Sequence, residues 1–177
     1  MKQSKILLHQ YNHPFEPILF RDTKILILGT FPSLDSFKYD FYYAHKRNQF
    51  WKILSEIFDM PIDTNRQKIS LLKKQNIGLW DIIKSCQREN SSDTNLKNCI
   101  LHDIPLLLKE YPNIKTIAFT GLKAEKFYNK KYKNLPIKTI ALPSPSPAFA
   151  SMSYLQKKEI YENNIDIAIH MGSSSHR

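Results

Sequence analysis

Two proline-stiffened loops carry much of what this sequence could use for chemistry. The first, GTFPS, runs from Gly29 through Thr30, Phe31 and Pro32 to Ser33, directly behind an apolar run. Backbone N–H groups in such a loop, at a strand end, can cradle a phosphate or the polar edge of a base. It is not a phosphate-binding P-loop, because no GK[ST] follows, nor a dinucleotide fingerprint, because GxGxxG is missing. A proline-fixed turn is the plainer reading. The second loop, LPSPSPAFA, offers Ser144 and Ser146 on a backbone stiffened by Pro143, Pro145 and Pro147. A stiff loop loses little entropy on binding, and serine hydroxyls are common phosphate ligands. Taken alone, a surface polyproline stretch is the simpler account. After the first loop the chain crowds Phe37, Tyr39, Phe41, Tyr42, Tyr43, Phe50 and Trp51 beside Lys46 and Arg47.

The whole chain has 177 residues, 26 Lys and Arg against 16 Asp and Glu, and a net charge of +10. That length suits one globular domain, expected over residues 1–170, with the polar residues 171–177 set aside as an appended tail. Excess basic charge raises affinity for polyanions by counterion release, so nucleic acid is the first partner to consider. A solvated lysine-rich surface would give the same composition. No run is long and apolar enough for a membrane span, and the three-residue apolar patch in MKQSKILLHQ is too short for a secretory signal. A cytoplasmic protein is expected. Cys86 and Cys99 lack the paired close spacing of a zinc site, so ordinary thiols and no metal are expected.

The elements that would position the loops follow from periodicity. KILILG, 24–29, reads as a buried strand, and the spacing of Phe50, Trp51, Leu54, Ile57 and Phe58 predicts a helix from Arg47 that ends before Pro61. A further helix is expected over 65–74, a strand or turn-strand over GLWDII at 78–83, and a polar surface loop from Lys84 to Asn98. Residues 101–110 read as a helix and TIAFT at 116–120 as a buried strand. A helix follows Gly121, then a strand over 137–142 and a closing helix over 153–169. Strands alternating with helices predict an α/β domain with three α/β/α layers around a central, mainly parallel four-stranded sheet. Both loops would then lie at the carboxyl ends of strands, where such sheets bind ligands.

Six blocks in order, HPFEPILF, LILGTFPSLDS, YYAHKRNQFW, GLWDIIKSCQRENSSD, FTG and LPSPSPA, resemble the hypoxanthine-DNA (deoxyinosine) glycosylase group of the uracil-DNA glycosylase superfamily. The resemblance spans roughly residues 13 to 165 and implies an enzyme without metal or cofactor. Such an enzyme flips a deaminated base from DNA, hypoxanthine first and uracil or xanthine after it, and hydrolyses the N-glycosidic bond. The interleaved aromatics and cations then fall into place: apolar faces sandwich the flipped base while Lys46 and Arg47 hold flanking phosphates. The pocket would lie beneath Gly29–Ser33, with Tyr43 stacking on the base.

Mismatch-specific relatives carry an asparagine two residues after the loop glycine, where this chain has Phe31. Asn48 is the leading candidate to position water or hold a purine edge, its amide offering both donors and an acceptor; a helix N-cap competes for it. His45 could donate to the departing base or to a phosphate, or cap the same helix. Phe50, Trp51 and Trp80 read as core, and Asp81 as a turn or cap acceptor rather than an activating group. His102, Thr120 and Phe149 stand where the family pattern has asparagine, which motivates a rival reading as a non-catalytic DNA-binding or damage-sensing module. A nucleotide-binding enzyme using GTFPS is a third, opposed by the missing phosphate-loop lysine. With no lysine singled out as a Schiff-base nucleophile, a monofunctional, monomeric hydrolase is expected.

Overall fold

In the computed structural model, which describes residues 8–88 and 96–170, ILILG forms β2 (Ile25–Gly29) at the heart of the molecule. It pairs in parallel with β3 (Ile77–Asp81) on one side and β6 (Thr116–Thr120) on the other. β7 (Lys138–Leu142) pairs in parallel with β6, giving the order β3-β2-β6-β7. All five residues of β2 are buried, as a central strand covered on both faces requires.

Alternation along β2 divides the core in two. Ile25 and Ile27 face α2 (Phe50–Phe58), α3 (Asn65–Lys74) and α6 (Tyr154–His170), packing with Trp51, Leu54, Leu72 and Ile165. Leu26 and Leu28 face α4 (Ile104–Glu110) and α5 (Leu122–Tyr132), packing with Leu107, Ala124 and Tyr128. The three expected layers and the parallel four-stranded sheet are therefore present.

The structure corrects the reading elsewhere. GLWDII is not one strand: β3 stops at Asp81 and β4 (Ile83–Arg88) starts a second sheet. β4 lies between β1 (His9–Asn12) and β5 (Lys97–Leu101), antiparallel to both. Where it is described, the segment expected to be a polar loop from Lys84 is thus largely strand, its polar residues sitting on a small sheet with little apolar alternation to reveal it. Residues 89–95 of that expectation, and the tail 171–177, lie outside the described residues. The fourth helix starts at Ile104, capped by Asp103, whose carboxylate accepts from the Leu106 N–H at 3.1 Å, rather than at Leu101. The helix foreseen from Arg47 begins at Phe50, because residues 45–48 close a turn through the Asn48 N–H to His45 carbonyl bond of 2.9 Å. A short helix, α1 (Leu34–Tyr39), follows the first loop, its N-terminus capped by the Ser33 hydroxyl.

Candidate active site

The carboxyl ends of β2, β3 and β6 open into a cleft of about 530 Å³, walled by the first loop, by residues from Tyr42 to Asn48 and by the PSPSPA loop after β7. Every residue expected to bind base lines it: Gly29, Thr30, Phe31, Pro32, Ser33 and Tyr43. His45, Asn48, Ser144 and Ser146 line it as well. Lys46 and Arg47 do not; they are exposed between His45 and Asn48, on the rim.

Local bonding fixes what each group can offer. Asn48 Oδ1 accepts the Phe50 N–H at 3.0 Å at the start of α2, where the Gln49 side chain makes no capping bond. The amide is therefore a cap and a cleft-lining group at once. A carbonyl oxygen has two lone pairs, so one remains for water, alongside the amide N–H donors. His45 Nδ1 accepts the Arg47 N–H at 3.0 Å, which places the ring proton on Nε2, 3.4 Å from Asp35 Oδ2. Ser33 spends its hydroxyl oxygen on the Ser36 N–H.

Tyr43 adopts a left-handed backbone conformation, φ 53°, unusual for a bulky residue and a common mark of functional sites. One ring face stacks on Phe50 at 4.0 Å between centroids, and its hydroxyl meets Thr120 Oγ1 at 2.9 Å. Burial first, and then the Asp81 charge, pushes its phenol far above the ordinary range, so it stays neutral at any working pH. Tyr42, 3 % exposed, packs into the core.

The second loop is held from three sides. Tyr161 donates to the Pro143 carbonyl at 2.6 Å, the Gln49 N–H to the Pro145 carbonyl at 2.9 Å, and Lys157 Nζ to the Ser146 carbonyl at 3.2 Å. Lys157, 1 % exposed and held below the ordinary lysine range by burial, also donates to Gln49 Oε1 and so ties this loop to the first turn of α2. Ser144 and Ser146 each accept a backbone N–H two residues on, leaving their hydroxyl protons to donate to a phosphate. Phe149 lies outside the cleft lining, with Lys157 Nζ 5.3 Å from its ring centroid.

Asp81, weighed from the sequence as an activating group and read instead as a turn or cap acceptor, does not fit that reading. Its carboxylate caps no turn: Oδ2 sits 2.7 Å from His13 Nε2, with side chains only 7 % and 2 % exposed. Among the described residues it is the one carboxylate lining the cleft. A Cβ built on Gly29 would strike Asp81 Oδ1 and approach Tyr43 Oη at 3.0 Å and Thr120 Oγ1 at 3.4 Å, so these three oxygens converge above Gly29 on the cleft floor. His13 Nδ1 lies 2.9 Å from the Phe15 carbonyl and 3.3 Å from the Phe15 N–H, an environment that suits either a protonated or a bare nitrogen. The HPFEPILF block and the aspartate at a strand end were the available signals.

His102 buttresses the same corner. Its Nδ1–H donates to the Asp81 carbonyl at 2.8 Å, and its ring stacks on Trp80 at 3.8 Å. Burial pushes its imidazole down to about 4 from the ordinary 6.5. The unfolded chain therefore takes up this proton near pH 6.5 and the folded chain only near pH 4. Stability from neutral His102 is complete above pH 6.5 and lost as pH falls toward 4. Unfolding in urea should show a loss of about 2 kcal/mol between pH 7 and pH 4 that His102→Gln abolishes.

Comparison with known proteins gives one consistent result. The family model described as the uracil DNA glycosylase superfamily matches residues 18–166. A Methanosarcina acetivorans protein named hypoxanthine DNA glycosylase is 31 % identical over 147 residues, covering 82 % of this chain and 92 % of the relative. A Methanosarcina barkeri protein of the same name is 34 % identical over 115 residues, 64 % of this chain and 73 % of the relative. A solution NMR structure from Methanosarcina acetivorans, provisionally described as a uracil DNA glycosylase, superposes with a TM-score of 0.72 at 30 % identity, covering 88 % of this chain and 95 % of that one.

Proposed function

Because this chain belongs to the uracil DNA glycosylase superfamily, we propose that its cleft excises hypoxanthine from DNA by hydrolysis and leaves an abasic site. The observation that carries this reading is the polar floor above Gly29, where a carboxylate oxygen stands beside two hydroxyls. A deaminated base presents an N–H next to a carbonyl oxygen; the carboxylate accepts the N–H and a hydroxyl donates to the carbonyl. Adenine presents a bare ring nitrogen at the same place, opposed to the Asp81 oxygen. Uracil shares the lactam pattern of hypoxanthine, and the names of the two relatives favour the purine.

With the base edge on the floor and its ring against Tyr43, the sugar lies toward the rim, its phosphates within reach of Lys46, Arg47, Ser144 and Ser146. The C1′–N9 bond breaks with its electron pair leaving on the base. The oxygen of a water held by Asn48 bonds to C1′ and releases a proton, and the departed base takes one up. The Nε2–H of His45, on the wall, can donate to a phosphate or to the base once it leaves Asp35.

Duplexes and single strands carrying one deoxyinosine, deoxyuridine or deoxyxanthosine, incubated with the protein and then cleaved by alkali, test the reading. Strand breaks at deoxyinosine, reduced about a hundredfold or more in Asn48→Ala, are expected. DNA bound in a salt-sensitive way but left uncut would instead favour a binding module of the same fold.

A further inference from the structure

We propose that Arg88 is a positioning cation whose buried charge stabilises the negative charge gathering on the departing base, an inference that rests on the glycosylase reading above. Arg88 ends β4 and is 0 % exposed. Its guanidinium carbon lies 4.7 Å from the ring centroid of Tyr11, 5.4 Å from Phe31 and 5.7 Å from Phe37. Nη1 donates to the Pro32 carbonyl at 3.2 Å, while Nε and Nη2 find no hydrogen-bond partner among the described residues. Among the described residues no carboxylate forms an ion pair with it.

A guanidinium stays charged in any protein environment, and burying one without an anion is strongly unfavourable. The three ring faces answer part of that penalty through their quadrupoles. The rest of the charge points to an anion nearby. Phe31 and Pro32, the two residues Arg88 touches on the first loop, both line the cleft. The cation therefore stands one residue behind the wall against which the base would lie.

In the substrate the base is neutral, and as the C1′–N9 bond breaks the electron pair moves onto it. A fixed positive charge favours the second state over the first, which is the condition for accelerating the step. Across about 10 Å of protein at an effective dielectric constant near 20, one charge is worth on the order of tenfold in rate. Arg88 also braces the first loop through the Pro32 carbonyl, and that bracing alone would slow every substrate alike.

Single-turnover excision of deoxyinosine and of 2-fluorodeoxyinosine, whose fluorine makes the base a more acidic and better leaving group, separates the two roles. Arg88→Gln keeps an N–H for the Pro32 carbonyl and loses the charge; Arg88→Lys keeps the charge and alters the fork. The glutamine variant is expected to slow deoxyinosine about tenfold and the fluorinated base clearly less, whereas the lysine variant preserves the wild-type ratio of the two rates. Equal slowing of both substrates in Arg88→Gln, or none, overturns the proposal. Should the glutamine variant not fold, the lysine variant decides: an altered ratio despite the retained charge overturns it, and an unchanged ratio supports it. A wild-type protein inert on deoxyinosine would instead defeat the glycosylase reading itself.

Discussion

Asp81→Ala is expected to lower kcat/KM on deoxyinosine DNA about a thousandfold while leaving the protein folded. A site built to hydrogen-bond a substrate N–H loses orders of magnitude when that acceptor is gone, because the lactam edge must enter a dry corner unpaired. Among the described residues Asp81 is the cleft's one carboxylate, and the hydroxyls of Tyr43 and Thr120 already bond each other at 2.9 Å, so neither stands in as a strong acceptor. The fold should survive at a cost of about 1–3 kcal/mol, since the change strands His13 without its 2.7 Å partner at the edge of the core rather than inside a helix layer. Asp81→Asn should lie between wild type and alanine: its amide can offer an oxygen to the base only if His13 takes the N–H instead, which a bare Nε2 allows. Single-turnover excision alongside urea unfolding checks both quantities. An alanine variant cutting within a few-fold of wild type would remove Asp81 from the site.

Arg88 and Asp81 show where legibility in the sequence stops. The layers were readable because they rest on local pattern: ILILG and TIAFT are short runs centred on apolar residues, and of the expected α2 stripe Phe50, Trp51 and Leu54 are buried while Ile57 and Phe58 pack, partly buried, against the same core. Both loops were readable because proline and glycine punctuate them. The polar β4 was not, since Ser85 and Arg88 are buried on a subsidiary sheet by distant partners, among them Tyr11 and Pro32. The His13–Asp81 pair joins positions 68 residues apart, and no periodicity links them. Asn48 falls in between: the sequence offered a helix cap and a functional amide as rivals, and the capping bond is present while the side chain also lines the cleft wall.

Gly29→Ala probes the floor from below and should be damaging, though less so than Asp81→Ala. Gly29 lies directly opposite Asp81 in the β2–β3 ladder, and an added methyl would overlap Asp81 Oδ1 while crowding the Tyr43 and Thr120 oxygens at 3.0 and 3.4 Å. A long flexible side chain would step aside at little cost. Asp81 cannot, because Oδ2 is fixed by His13 and its own carbonyl by the His102 Nδ1–H. The carboxylate must rotate out of the floor and break the His13 contact, or β2 must shift against β3. We expect the first, with excision down about a hundredfold and stability down about 1–3 kcal/mol, the usual range for one methyl too many in a packed site. The double variant decides whether the damage passes through Asp81. Residues in contact couple, so adding Gly29→Ala to Asp81→Ala should lower activity no further and should recover part of the lost stability, the clash having vanished with the carboxylate. If the two losses instead multiply, the methyl acts through the strand backbone, and Gly29 shapes the cleft independently of the carboxylate above it.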